Sequence, residues 1–135
     1  NGQAGGGVFG RAAGTALKNS CRKNGNSGSD VSDKAEPLVD GNQSEGNFLD
    51  GIAANKQAQP TLSGNTCTAN KQRGIVFYGD ATGTARGNIC CLNEQNGIVV
   101  MDHAAPIAEN NTCDVNKQAG VGFFGTAAGT ALKNS

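Results

Sequence analysis

The feature that most constrains this chain is an uninterrupted period of 23 residues. The same pattern is written three times in succession, in 65-NTCTANKQRGIVFYGDATGTARG-87, 88-NICCLNEQNGIVVMDHAAPIAEN-110 and 111-NTCDVNKQAGVGFFGTAAGTALK-133. Counting backwards keeps the phase through weaker copies, and residues 1–18 match the end of one more copy. We therefore expect one domain, 1–135, built from the repeats 1–18 (partial), 19–41, 42–64, 65–87, 88–110 and 111–133.

The period and composition predict the fold class. A repeat of 23 residues is too short for a propeller blade of about 40, and each copy has too few leucines for a leucine-rich repeat. No copy shows the i, i+3, i+4 apolar spacing of a helix, whereas 74-GIVFYG-79 alternates as a strand does. We predict an all-β, single-stranded right-handed parallel β-helix (β-solenoid) of about six 23-residue rungs.

If residues 23 apart are stacked, side-chain columns determine the structure. Two columns are invariably Asn, and we expect their amides to form ladders that satisfy the buried backbone at the bends. A third column is always Gly, which we interpret as a corner that needs positive φ. The two Asn columns and the Gly column are Asn19, Asn42, Asn65, Asn88, Asn111, Asn134; Asn1, Asn24, Asn47, Asn70, Asn93, Asn116; and Gly5, Gly28, Gly51, Gly74, Gly97, Gly120.

Three strands per rung are expected to point apolar side chains inward. Ile75 and Phe77 represent the first strand, and Ala85 represents the third. The second strand carries a cysteine column, which we predict to consist of buried free thiols, and an apolar position two residues later. Cys91 follows Cys90 and should point outward. The second-strand positions are Cys21, Ser44, Cys67, Cys90, Cys113 and Ala69, Leu92, Val115.

The repeat motif N-x-C-x-x-N-x-x-x-G-I-x-V/F resembles the right-handed parallel β-helix repeats of the pectin-lyase-like superfamily. Among these it is similar to the short repeats of carbohydrate-binding and sugar-hydrolase (CASH-type) domains. The resemblance covers the whole chain and implies the fold. It also implies a choice of functions, because members include polysaccharide lyases, hydrolases and epimerases as well as repeat modules without known chemistry.

Our preferred hypothesis is a non-catalytic scaffold or binding module. Outward positions of a solvated sheet are usually polar. Here the outward column that starts at Phe9 becomes apolar again in the last three rungs and forms an apolar patch there. Such a patch suits a carbohydrate or a protein ligand. The predicted ligand-binding residues are Val76, Tyr78, Val99, Met101 and Phe124.

Two alternatives remain. Asp80 and His103 share a phase on adjacent rungs with Asp102 beside them, so an enzyme of the superfamily could use these three residues for proton transfer. However, rungs without insertions leave little sequence to build groove walls. An ice-binding solenoid is the third reading, suggested by the threonines that share one phase: Thr15, Thr61, Thr84 and Thr130.

The charge pattern limits partners and cofactors. Eleven Lys and Arg balance eleven Asp and Glu, so we expect neither nucleic-acid binding nor attraction to an anionic membrane. We expect no cofactor; the one set of carboxylates weighed for Ca²⁺ is spread around a rung. We favour an extracellular or cell-surface location. We also expect the chain either to be a fragment of a longer array or to self-associate end to end. The weighed carboxylates are Asp30, Asp33, Glu36 and Asp40.

Overall fold

The computed structural model describes residues 5–8 and 10–135, and Asn1 and Phe9 lie outside the described residues. Within these described residues the chain forms sixteen strands of three residues each. They are β1 (Gly6–Val8), β2 (Thr15–Leu17), β3 (Ser20–Arg22), β4 (Ser29–Val31), β5 (Leu38–Asp40), β6 (Gln43–Glu45), β7 (Ile52–Ala54), β8 (Thr61–Ser63), β9 (Thr66–Thr68), β10 (Ile75–Phe77), β11 (Thr84–Arg86), β12 (Ile89–Cys91), β13 (Ile98–Val100), β14 (Ile107–Glu109), β15 (Val121–Phe123) and β16 (Thr130–Leu132).

The strands form three parallel sheets that wind as a β-solenoid. The first sheet has the order β1-β4-β7-β10-β13-β15, the second β2-β5-β8-β11-β14-β16, and the third β3-β6-β9-β12. Every pairing is parallel and joins residues 23 apart, as in Ile75 with Ile98 and Ala85 with Ala108. The predicted fold class is therefore confirmed, and side-chain columns follow from the register.

One core runs along the axis between the sheets. Ile75, Phe77 and Ala85 are fully buried within it, as predicted. Phe77 fits because its register partners on the neighbouring rungs are the smaller Ala54 and Val100. Alternating large and small side chains in this way fills a core without forcing strands apart.

The asparagine ladders are present and continuous. From Asn19 to Asn111 and from Asn24 to Asn93, each ladder amide donates from Nδ2 to Oδ1 of the Asn one rung later, at 2.8 to 3.1 Å. The same Oδ1 accepts a backbone N–H from the rung before, as Asn93 Oδ1 does from Asn70 at 3.1 Å. A further bond runs from Nδ2 to a backbone carbonyl, as from Asn70 to Ser44 at 3.1 Å. The ladders thus satisfy backbone groups that the bends would otherwise leave buried without partners.

The invariant glycines have a different role from the one predicted. Gly51, Gly74 and Gly97 do not adopt positive φ. A Cβ on Gly74 would instead lie 2.6 Å from the Gly97 carbonyl oxygen and 2.7 Å from the Cys90 Cβ. The column is glycine because the next rung approaches too closely for any side chain.

The left-handed corners lie elsewhere and correct a second expectation. Ala69, Leu92 and Val115 have φ of 54°, 60° and 55°, which ends the third-sheet strand and turns these side chains outward. Val115 is 76% exposed, so this column is not part of the core. The structure places glycine at the same corner in Gly46, where the conformation carries no steric cost.

The cysteines behave as predicted. Cys67 and Cys90 are fully buried, and all five cysteines are free thiols. Hydrogen bonding to Cys113 and Cys67, together with burial, raises the pKa of the Cys90 thiol. Cys91 points outward from the third sheet and is partly exposed. Ser44 occupies the same column, and its buried Oγ has no hydrogen-bond partner among the residues that the structure describes.

Candidate functional site

The predicted binding face lies where the first-sheet strands end. Tyr78, Met101 and Phe124 directly follow β10, β13 and β15 and are stacked on successive rungs; we call these three residues the outer strip. Tyr78 is 36% and Phe124 48% exposed, and Met101 between them is partly exposed. The outer strip is therefore a continuous apolar surface open to solvent.

Val76 and Val99 differ from the expectation that they are exposed. They point away from the main core, yet they are only 0% and 1% exposed. They form a second small apolar cluster with Ala53, against which Met101 packs. Because rungs are only about 4.8 Å apart, these side chains pack against their neighbours in the column as well as against Met101, which leaves them little contact with solvent. Val76 and Val99 support the outer strip and do not form its surface.

The ring of Phe124 is positioned by the glycine two residues before it. A Cβ on Gly122 would lie 2.7 Å from Phe124 Cε2 and 3.0 Å from its Cζ. The ring therefore lies back against the backbone of β15, which a larger residue at 122 would prevent. The rest of the side chain remains open to solvent, and Phe124 is 48% exposed.

Tyr78 combines an apolar ring with a polar end. Burial, and then the nearby charges of Asp30 and Asp50, raise the pKa of its hydroxyl. The hydroxyl therefore remains protonated at neutral pH, where it can both donate and accept a hydrogen bond. The outer strip thus offers polar contacts as well as a ring face.

A buried ion pair beside the outer strip was not predicted. Arg73 donates from Nε to Asp50 Oδ1 at 2.7 Å and from Nη2 to Asp50 Oδ2 at 3.3 Å, and a second Nη2 bond reaches Gln72 Oε1 at 2.7 Å. Asp50 is buried, and burial raises the pKa of its carboxyl while Arg73 opposes that rise. The two residues are 23 apart and lie on neighbouring rungs, so counting in steps of 23 could have found this pair.

Arg73 of the ion pair also lines a small notch beside Met101 and Phe124 of the outer strip. The notch has a volume of about 200 Å³ and mixes apolar walls with amide and guanidinium groups. It is lined by Arg73, Gln95, Asn96, Val99, Met101, Gln118 and Phe124.

The three candidate catalytic residues lie on an exposed corner. His103 Nδ1 is 3.9 Å from Asp80 Oδ1, and both side chains are mostly exposed. Asp102 is used structurally, because its Oδ2 accepts the Gly79 N–H at 3.0 Å. The structure therefore brings Asp80 and His103 together, as the shared phase predicted, and gives Asp102 a separate partner.

Two of the four acidic residues considered for calcium, Asp30 and Asp33, have protein partners. Asp33 forms an ion pair with Lys56 at 2.6 Å, and Asp30 accepts a hydrogen bond from Asn55 at 3.0 Å. No group of three or more His, Cys, Asp or Glu side chains that could hold a metal ion occurs in residues 5–8 and 10–135.

The remaining pairs follow the predicted register. Arg22 pairs with Glu45 at 3.1 Å, and Arg86 with Glu109 at 2.9 Å. The threonine column of the second sheet is interrupted, because Leu38 and Ile107 occupy two of its rungs. It therefore lacks the uniform row of threonines along the sheet.

In the part of the chain that the structure describes, no helix is long and apolar enough to cross a membrane.

Comparisons with known proteins agree with the fold. Comparison with curated proteins found no match, and comparison with solved structures found none either. The family model described as right handed beta helix region matches residues 1–135. That match spans the whole chain, and the parallel pairings show the same architecture, so the chain belongs to the right-handed β-helix family.

Proposed function

We propose that the protein is a non-catalytic module that binds a carbohydrate chain along the outer strip. One observation carries this proposal: the exposed rings of Tyr78 and Phe124 lie in one column, two rungs apart, with Met101 between them. Aromatic faces suit the C–H faces of sugar rings, and the polar ends beside them suit hydroxyl groups. A rigid sheet that orders these side chains in advance lowers the entropic cost of binding.

The spacing favours an extended glycan. Two rungs separate the rings by about 10 Å, since neighbouring parallel strands are about 4.8 Å apart. An extended chain of β-1,4-linked sugars advances by nearly one rung spacing per sugar residue. Successive sugar rings would therefore lie over Tyr78, Met101 and Phe124.

The charge distribution favours a neutral glycan over a polyuronate. Four basic side chains on these rungs are paired with carboxylates: Lys71 and Lys117 with Glu94, Arg73 with Asp50, and Arg86 with Glu109. A polyanion would have to compete with these carboxylates. We do not extend the proposal to catalysis, because Asp80 and His103 lie on an open corner without surrounding walls.

The test is calorimetric titration with cellohexaose and chitohexaose. We expect Tyr78→Ala and Phe124→Ala each to lower the affinity about 10-fold, equal to about 1.4 kcal/mol. Ile107→Ala is the matched control, because Ile107 is also an exposed apolar residue but lies on the second sheet. Binding to neither glycan, or an equal loss in the Ile107 variant, would refute the proposal.

A further inference from the structure

Asn96 differs from every other buried asparagine in the described residues. It is only 4% exposed, yet its side-chain amide makes no hydrogen bond within residues 5–8 and 10–135. Nearly all buried amides in proteins are hydrogen-bonded, so an unpartnered one requires an explanation. The buried asparagines that do make side-chain hydrogen bonds are Asn24, Asn42, Asn47, Asn55, Asn65, Asn70, Asn88, Asn93 and Asn111.

The amide of Asn96 keeps a narrow access to solvent. Among described side-chain atoms, the one that is fully covered without a partner is Ser44 Oγ. The Asn96 amide therefore retains some contact with solvent, and Asn96 lines the notch. Its donor and acceptor are available to a molecule that enters there.

Arg73 adds unused donors to the same notch. Its Nε and Nη2 are committed to Asp50 and Gln72, but its Nη1 makes no hydrogen bond in the described part of the chain. The guanidinium charge is already balanced by Asp50. The notch therefore offers hydrogen-bond donors without a net positive charge, which suits a neutral acceptor better than a carboxylate.

The apolar wall is adjacent to these polar groups. Asn96 Nδ2 lies 3.7 Å from the position of a Cβ on Gly122, the point against which the Phe124 ring packs. Met101 lines the other part of the notch. An amide, a guanidinium edge and an apolar wall thus converge on about 200 Å³, less than the roughly 300 to 1,000 Å³ of sites for drug-sized ligands.

From this arrangement we infer that the notch selects a sugar with an acetamido substituent, an N-acetylhexosamine; this inference rests on the proposed function. The acetamido carbonyl accepts from Arg73 Nη1, its N–H donates to Asn96 Oδ1, and its methyl group packs on Met101 and Phe124. A hydroxyl group at the same sugar carbon is too small to contact Arg73 Nη1, Asn96 Oδ1 and the apolar wall at the same time. The notch therefore determines which glycan binds, and the outer strip provides the common platform.

The experiment compares chitohexaose with cellohexaose by calorimetric titration. The two share the β-1,4 linkage and differ at the acetamido or hydroxyl substituent. We expect the wild-type protein to bind chitohexaose at least 10-fold more tightly. Asn96→Ala should lower the chitohexaose affinity to about that for cellohexaose and so abolish the preference, and it should change the thermal midpoint little, because Asn96 makes no side-chain hydrogen bond within residues 5–8 and 10–135.

A second variant tests the wall. In Gly122→Ala, the new methyl group displaces the Phe124 ring, so we expect the affinity for both glycans to fall several-fold. Ile107→Ala again serves as the control, with no effect on either. Equal wild-type affinities for the two glycans, lowered by Tyr78→Ala, would overturn the acetamido inference and leave the proposed function standing. Binding to neither glycan would overturn both.

Discussion

Replacing a central ladder asparagine by alanine should remove a large part of the stability. The Asn65 side chain takes part in four hydrogen bonds: its Oδ1 accepts from the backbone N–H of Asn42 at 2.9 Å and from Asn42 Nδ2 at 3.1 Å, and its Nδ2 donates to Val39 O at 2.8 Å and to Asn88 Oδ1 at 3.0 Å. At about 1 kcal/mol for each bond, Asn65→Ala should lower the free energy of unfolding by about 4 kcal/mol. That is a large share of the roughly 5 to 15 kcal/mol that stabilises a typical domain.

The matched control is Asn19→Ala in the same column. Asn19 is exposed, and its side chain donates one hydrogen bond, to Asn42 Oδ1 at 2.9 Å. Since water can replace that bond, the loss should be under about 1 kcal/mol. Urea denaturation followed by far-ultraviolet circular dichroism gives the loss of unfolding free energy for both variants. Comparable slopes of the unfolding free energy against urea concentration would show that the unfolded states are similar.

A shape-conserving variant separates hydrogen bonding from packing. Asn65→Asp can still accept from Asn42, but its carboxylate cannot donate to Val39 O or Asn88 Oδ1 and is buried as a charge. It should be at least as destabilising as Asn65→Ala at pH 7. If Asn65→Ala cost no more than Asn19→Ala, or if Asn65→Asp were neutral, the ladders would not contribute to stability in the way we describe.

Four further substitutions test the backbone conformation at Val115, the buried hydroxyl of Ser44 and two ion pairs. Val115→Gly should stabilise the protein by about 1 kcal/mol, because relief of a left-handed conformation worth about 1 to 2 kcal/mol exceeds the entropy that glycine adds to the unfolded chain; an unchanged urea midpoint would contradict this. Ser44→Cys should add about 1 kcal/mol, because it removes a buried hydroxyl without a partner; a lower melting temperature under reducing conditions would refute it. Arg73→Ala should cost about 3 to 5 kcal/mol because Asp50 is left buried and unpaired. Arg86→Ala, which breaks an exposed pair, should cost less than about 1 kcal/mol, and equal losses in urea denaturation would contradict the difference in burial.

The sequence predicted those features that depend on the period alone. The ladders, the core position of Phe77 and the pairing of Arg86 with Glu109 all follow once residues 23 apart are stacked. The pair of Asp50 and Arg73 was accessible by the same arithmetic and was overlooked. A constant register thus makes contacts along the axis predictable from numbering.

The burial of outward-pointing side chains and the backbone conformation at strand ends were less predictable. Alternation showed that Val76 points away from the main core, but not that neighbouring side chains cover it. Val115 was expected inward, because the pattern does not show that strands end after three residues in a left-handed turn. Asn96 shares its column with Ser27, Asp50 and Arg73, so no repetition marked it, and its unpaired amide appears only in three dimensions.

The ladders also have a polarity. Each ladder asparagine that is followed by another rung donates its amide N–H toward higher residue numbers, as Asn42 does to Asn65 and Asn65 does to Asn88. The amide dipoles consequently add along the axis and do not cancel, as they would if successive side chains faced each other. Because hydrogen bonds in such a chain polarise one another, each bond strengthens the next. Loss of one asparagine therefore also weakens hydrogen bonds on rungs that it does not contact.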